Sequence, residues 1–337
     1  MLLLLVLLLL RLLLVSELDR VPERPLLKPW YRLAPVEGGL LLEHGRTVVV
    51  FGGAAATTLL PALLPLLDGT RTSAEIVAVV GVRVEAAVER ALRLLAENEL
   101  LTAGPRLDAD AGGRRDVVES LVATAGSSST MAELAERLAA ASIKVLGRGH
   151  LAAPLARLLH LSRIDDVTRL EPERQNSEPA GLVVVAPGAG EHDLTPEWNQ
   201  RALRDGGAWI PIGDFDGRTV SVGPLIVPHE SPCYTCLQLR RDSTSGCASE
   251  LARFRDVPVR AVARPAVLAA AAALAAEVVV RWIAAADPSL PGTLVTLETT
   301  PQLRVESHVV LRVPRCPACS PAAALAPQSP WHEARVA

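Results

Sequence analysis

The rhythm of hydrophobic and polar positions changes partway along the chain. Three short runs come first, Trp30–Leu33, Leu40–Glu43 and Thr47–Phe51, divided by Pro35, Gly38-Gly39 and His44-Gly45. Apolar and β-branched residues between such breakers predict strands. A helical pattern then runs from Ala54 to Leu67 and stops at Asp68-Gly69. Thr72 or Ser73 is placed to cap a second helix, with Glu75 in its first turn. A third is predicted over Val84–Glu97, with Val84, Val88, Ala91, Leu92 and Leu95 on one face and Glu85, Glu89, Arg90 and Arg93 on the other. Three strands followed by three helices is a winged-helix-like order, assigned to residues 24–103.

Residues 104–116 read as a linker with little to bury, holding Pro105, Asp108, Asp110, Gly112-Gly113 and paired arginines. Beyond it, over 117–320, helical and extended segments alternate. Met131–Ala141 is predicted as a helix, Ile143–Leu146 as a strand and His150–Leu161 as a helix. Asp166–Leu170 and Leu182–Ala186 follow as strands, the latter with the continuous apolar character of a strand buried on both faces. Pro196–Arg204 reads as helix, Ala208–Ile212 and Thr219–Val227 as extended, and Pro265–Ala286 as a long Ala-rich helix charged only at Glu277 and Arg281. Gly292–Val313 alternates like antiparallel strands. The expected class is α/β, with a doubly wound, mostly parallel sheet.

Length and composition narrow the function. A chain of 337 residues suffices for about two domains. Lys and Arg (34) nearly balance Asp and Glu (37), which excludes a strongly basic nucleic-acid surface. The first fifteen residues, MLLLLVLLLLRLLLV, fall short of the ~20 apolar residues of a membrane span. They also lack the basic start and small-residue cleavage site of a signal peptide. A start assigned too early and a helix laid on the body both stay open for residues 1–23, and residues 321–337 read as a tail.

Four of the five cysteines fall in two pairs, Cys233-Tyr-Thr-Cys236 and Cys316-Pro-Ala-Cys319. Two C-x-x-C turns can bring four thiolates to one ion, so the pattern predicts a closed, structural Zn2+ site that ties the C-terminal segment to the core. Paired spacing of this kind argues against a disulfide-stapled secreted domain and for a reducing, cytoplasmic setting. Cys247 is left over as an ordinary thiol.

Gly147-Arg-Gly149-His-Leu-Ala152 matches G-x-G-x-x-A at a strand-to-helix turn, and Glu171 ends the next strand where a ribose-binding acid would sit. Gly147, Gly149 and Glu171 are thus the candidate nucleotide contacts. The same glycines would be needed simply to seat a helix against its strand. Only about ten residues, Pro172–Gly181, precede the next strand, too few for the segment that would close over a triphosphate, and no G-x-x-x-x-G-K-[ST] loop occurs. No grouping of histidines with Ser, Cys or Asp suggests a catalytic triad.

The glycine loop, the Pro232-Cys-Tyr-Thr-Cys-Leu-Gln-Leu-Arg240 element and Cys316–Cys319 resemble ThiF/MoeB-like proteins. Arg24-Pro-Leu-Leu-Lys-Pro-Trp30, Val48–Phe51 and Leu67-Asp-Gly-Thr-Arg-Thr72 resemble a narrower group, the ocin-ThiF-like leader-peptide-binding proteins of azole-forming (TOMM) biosynthesis. The resemblance covers residues 24–320. It implies an N-terminal, PqqD-like peptide recognition element, to whose sheet edge the leader of a ribosomally made azol(in)e or thiopeptide-type precursor adds as a strand. Carried onto this chain, the edge is Arg46, Thr47, Val48, Val49, Val50 and Phe51, with Arg90 and Arg93 on the helix forming the far wall. It further implies a YcaO-type cyclodehydratase as partner and a non-catalytic role here. The segment that supplies arginine, lysine and aspartate to ATP is missing, which argues against ATP in this chain. A divergent adenylating enzyme is the alternative, a membrane-tethered protein a third reading, and a homodimer, common among such relatives, stays open.

Overall fold

Alternation in the N-terminal segment builds a small antiparallel sheet, and continuous apolar runs farther on build a parallel one. The computed structural model describes residues 21–44, 47–108, 113–124, 129–172, 181–245 and 261–321. The chain divides into two compact units, Met1–Leu138 and Ala139–Ala337. Arg46, Cys247 and the apolar residues 1–15 lie outside the described residues.

In the first unit β1 (Pro25–Leu27) pairs antiparallel with β5 (Leu101–Ala103). Neither strand was expected. Each has three residues, too few to show a period, and the partner of each is some 75 residues away in the sequence. Strands β2 (Arg32–Val36), β3 (Gly39–His44) and β4 (Thr47–Gly52) form the expected meander in the order β2-β3-β4. Helices α1 (Ala54–Thr58), α2 (Leu60–Leu63), α3 (Ser73–Val80) and α4 (Glu85–Glu97) follow. Thr72 caps α3 through a full capping box with Glu75. Val88, Leu92 and Leu95 of α4 are buried with Leu42, Leu60, Leu63 and Ile76 in one cluster, each apolar side chain contributing about 1.5–3 kcal/mol. Val84 is a correction: it lies in a 3-10 turn before α4 and stays exposed, because the helical period begins one residue later. Helices α5 (Arg115–Thr124) and α6 (Met131–Ala140) come next, α5 starting where the linker was expected to end.

In the second unit β6 (Ser142–Leu146), β7 (Asp166–Leu170), β8 (Leu182–Val185) and β9 (Trp209–Pro211) form a wholly parallel sheet in the order β7-β6-β8-β9. Helix α7 (Ala152–Leu161) connects β6 to β7, and α8 (Leu194–Asp205) connects β8 to β9. The chain leaves β6 toward one side and returns to the other, so the switch point of the sheet lies at the loops after β6 and β8. Strands β10 (Thr219–Val222), β11 (Thr293–Glu298) and β12 (Arg304–Val309) make a second, antiparallel sheet. Between them run α9 (Tyr234–Thr244) and α10 (Pro265–Ala285). Helix α10 is the one described helix long and apolar enough to cross a membrane. It lies against α7 and β10, with Ala271, Ala272, Ala275 and Val279 buried, as a core helix does.

Candidate functional site

The four paired cysteines converge in the second unit. Cys233 stands at the N-terminal end of α9 and Cys236 in its first turn, while Cys316 and Cys319 sit on consecutive turns after β12. All four are buried, and all four Sγ atoms lie within 4.8 Å of one another. Cys233 Sγ is 3.8 Å from Cys236 Sγ and 3.7 Å from Cys316 Sγ, and Cys236 Sγ is 3.5 Å from Cys319 Sγ. A disulfide needs about 2.0 Å, so none is formed. A tetrahedron with metal–sulfur bonds of about 2.3 Å has sulfur–sulfur edges of about 3.8 Å. The cluster can therefore hold one metal ion and is compatible with zinc, with every tetrahedral position taken by sulfur.

Residues that were not anticipated hold this cluster. Asn199 of α8, 1% exposed, accepts the Tyr234 N–H at 2.9 Å and donates to Thr235 at 3.3 Å, fixing the turn that carries Cys233. Its only sequence signal was an amide on the buried stripe of a helix. Arg240 reaches the Leu311 and Arg312 carbonyls at 3.3 and 3.1 Å, drawing the second pair toward α9. Burial pushes the Cys233 thiol up and the Cys319 thiol up to about 11. Burial also opposes the Cys236 thiolate, but the Val313 N–H, 3.4 Å from its sulfur, and the neighbouring thiols outweigh it and hold that pKa down. A cation among the four would offset the cost of burying thiolates.

The glycine loop joins β6 to α7 as expected, but its backbone is engaged within the protein. Gly147 N–H donates to Leu170 at 3.0 Å and Gly149 N–H to Ala186 at 3.0 Å. A Cβ on Gly147 would come within 2.4 Å of the Ala186 carbonyl oxygen, and one on Gly149 within 2.5 Å of that of Pro187. Both glycines are thus required for the two loops to touch. Glu171 meets Arg148 Nη2 at 2.7 Å, and half or more of each side chain is exposed.

The proposed docking strand is an edge of its sheet. Gly53 N–H bonds the Gly38 carbonyl at 2.9 Å, extending the β3–β4 ladder and fixing its alternation. Thr47, Val49 and Phe51 turn their backbone groups toward β3, whereas Val48 and Val50 turn theirs to the open side. No described strand pairs there. Val48 and Val50 are 56% and 60% exposed, while Val49 and Phe51 lie against the core. The other edge, β2, carries Pro35, whose missing N–H blunts it. Arg90 and Arg93 are exposed on α4.

By sequence the chain matches no protein-family model and no curated protein. By structure it resembles known heterocyclases and MccB. A heterocyclase solved in complex with substrate and cofactor matches with a TM-score of 0.62 at 22% identity over 88% of this chain. The heterocyclase TruD matches with 0.62 at 23% identity over 90%. This chain spans 39% and 44% of those two proteins. E. coli MccB matches with 0.64 at 16% identity over 88% of this chain and 96% of its own, and MccB has also been solved with ATP and with MccA. At such identities the likeness establishes the fold: a mixed α/β chain with a parallel sheet, shared with these proteins.

Proposed function

We propose that this chain binds the leader peptide of a ribosomally made precursor and presents it to a YcaO-type cyclodehydratase that forms thiazoline or oxazoline rings. The carrying observation is the edge of β4. Its N–H and C=O groups at Val48 and Val50 face outward, and the opposite edge is blunted by Pro35. A peptide strand added there gains backbone hydrogen bonds whatever its sequence, and the side chains beside it set register. Thr47–Phe51 would form the platform together with Arg46, and Arg90 and Arg93 would attract an acidic leader. The shared fold with heterocyclases supports the pathway, and structural zinc in the four-cysteine cluster would brace the second unit. In this reading ATP is used by the partner.

The test is fluorescence anisotropy of a labelled leader peptide from a neighbouring precursor gene, titrated with the full chain. Val48→Pro and Val50→Pro together remove two outward donors without touching those that bond β3. Each net hydrogen bond contributes about 0.5–1.5 kcal/mol, so the pair should weaken binding by about 5- to 150-fold. Absence of binding by the intact protein, or unchanged affinity in a folded double variant, rejects the reading and brings forward the adenylating enzyme, to be checked by ATP–pyrophosphate exchange.

A further inference from the structure

The loops after β6 and β8 border a cavity of about 450 Å³ at the C-terminal ends of the parallel strands, lined by Arg148, His150, Gly188, His192, Asp214 and Phe215 among others. In open α/β sheets this crevice is where backbone N–H groups hold an anionic ligand group. Here two such donors, from loops about 40 residues apart in sequence, converge on a single oxygen of the chain itself. Arg148 N–H and Gly188 N–H bond Glu191 Oε2 at 2.9 and 2.7 Å. The other oxygen, Oε1, faces the Arg148 guanidinium at 3.4 Å, and the Glu191 side chain is only 10% exposed. The Glu191 N–H is anchored on the Gly188 carbonyl at 3.0 Å, so the carboxylate is held from its own backbone outward.

We propose that Glu191 is a resident anion whose carboxylate takes up the backbone donors of Arg148 and Gly188 at the border of this cavity, and so keeps a nucleotide phosphate from being held there. A phosphate brought to the same donors would meet two carboxylates, Glu191 and Glu171, already sharing the Arg148 guanidinium. The N–H groups of Gly147, Arg148, Gly149 and Gly188 are all engaged internally. Glu191 therefore withholds these donors, and any ligand entering the cavity has to do so without a phosphate at this loop. The inference is independent of leader capture, which concerns the other unit.

The experiment is thermal unfolding of the full chain carrying Glu191→Ala, in chloride, acetate, inorganic phosphate or ATP at matched ionic strength. Losing the carboxylate leaves the Arg148 and Gly188 N–H groups without their charged acceptor, and the melting temperature should fall by about 2–8 °C in chloride. Acetate or phosphate should restore at least half of that loss in the variant, beyond their general effect on the wild type. Glu191→Gln keeps an acceptor oxygen and should show a smaller loss without anion recovery. The proposal is overturned by an ATP-dependent shift in the wild type, by an Ala variant as stable as the wild type, or by a loss that no anion reverses. An Ala variant that folds only in acetate or phosphate supports it; one that folds in no buffer while the Gln variant folds overturns it. Leader binding on the same samples, expected to be unchanged, keeps the two proposals apart.

Discussion

An ion shared by the two cysteine pairs would close a loop of chain, and the size of that loop sets how much such an ion could stabilise. Cys233 and Cys316 lie 83 residues apart, as do Cys236 and Cys319. Taken as a single cross-link, loop-closure entropy gives about 4–5 kcal/mol. In a unit of this size each kcal/mol moves the melting temperature by about 2–4 °C. Loss of the ion should therefore lower unfolding of the second unit by about 8–20 °C. The perturbation is Cys316→Ser, which removes one thiolate from the tetrahedron and leaves the fold otherwise unaltered. Elemental analysis of the full chain should find one zinc in the wild type and a substoichiometric amount in the variant, with calorimetry reading the temperatures. Reducing buffer is essential, because sulfurs 3.5–3.8 Å apart can oxidise to a disulfide that replaces the cross-link. A variant that has lost its metal yet unfolds at the wild-type temperature refutes the cross-link argument, and a metal-free wild type refutes the site.

Two further predictions concern local chemistry. Gly147 has φ +112°, and a Cβ there would lie 2.4 Å from the Ala186 carbonyl oxygen, so Gly147→Ala should cost at least about 1–3 kcal/mol in urea denaturation. An unchanged midpoint would falsify the packing role given to that glycine. Glu119 accepts from Arg106 Nη2 at 2.9 Å and from Arg115 Nε at 2.9 Å, and hydrogen bonding to Arg106, aided by Arg115, holds its pKa below the usual 4.5. A depressed carboxyl stabilises above its unfolded value, and that contribution disappears as pH falls through the folded one. Glu119→Gln should therefore lower stability by up to about 1 kcal/mol near neutral pH, with the gap closing below about pH 4; a gap independent of pH would show that the ion pair contributes nothing.

The sequence carried those parts of the fold that have a period or a spacing. Val88, Leu92 and Leu95 recur on one helical stripe, Leu182–Val185 is continuous, and both C-x-x-C pairs announce themselves, so α4, β8 and the convergence of the four cysteines could be read directly. Strands β1 and β5 could not, because three residues hold no rhythm and their pairing is decided by contacts far along the chain. Helix α9 was missed because its surface is largely polar and its one strong signal, Cys233–Cys236, was read as a metal turn. The glycine loop was recognised as a pattern, yet what it binds depended on Glu191, 43 residues from Arg148, and nothing in its neighbourhood marks that carboxylate as the loop's occupant. Asn199 was hidden for the same reason: a buried amide declares its purpose only when its partners are seen.

The separation of the cysteine pairs also has a meaning in time. Synthesis proceeds at about 5–20 residues per second, so the 83 residues from Cys236 to Cys319 take about 4–17 s to make. Throughout that interval a nascent chain would own half of the candidate coordination sphere. Two thiolates cannot satisfy a tetrahedral ion, and they are open to oxidation or to the wrong metal. With a metal at this site closure would wait for Cys319, and a product cut before Cys316 would contain every strand of both sheets of the second unit yet could not be tied by the ion.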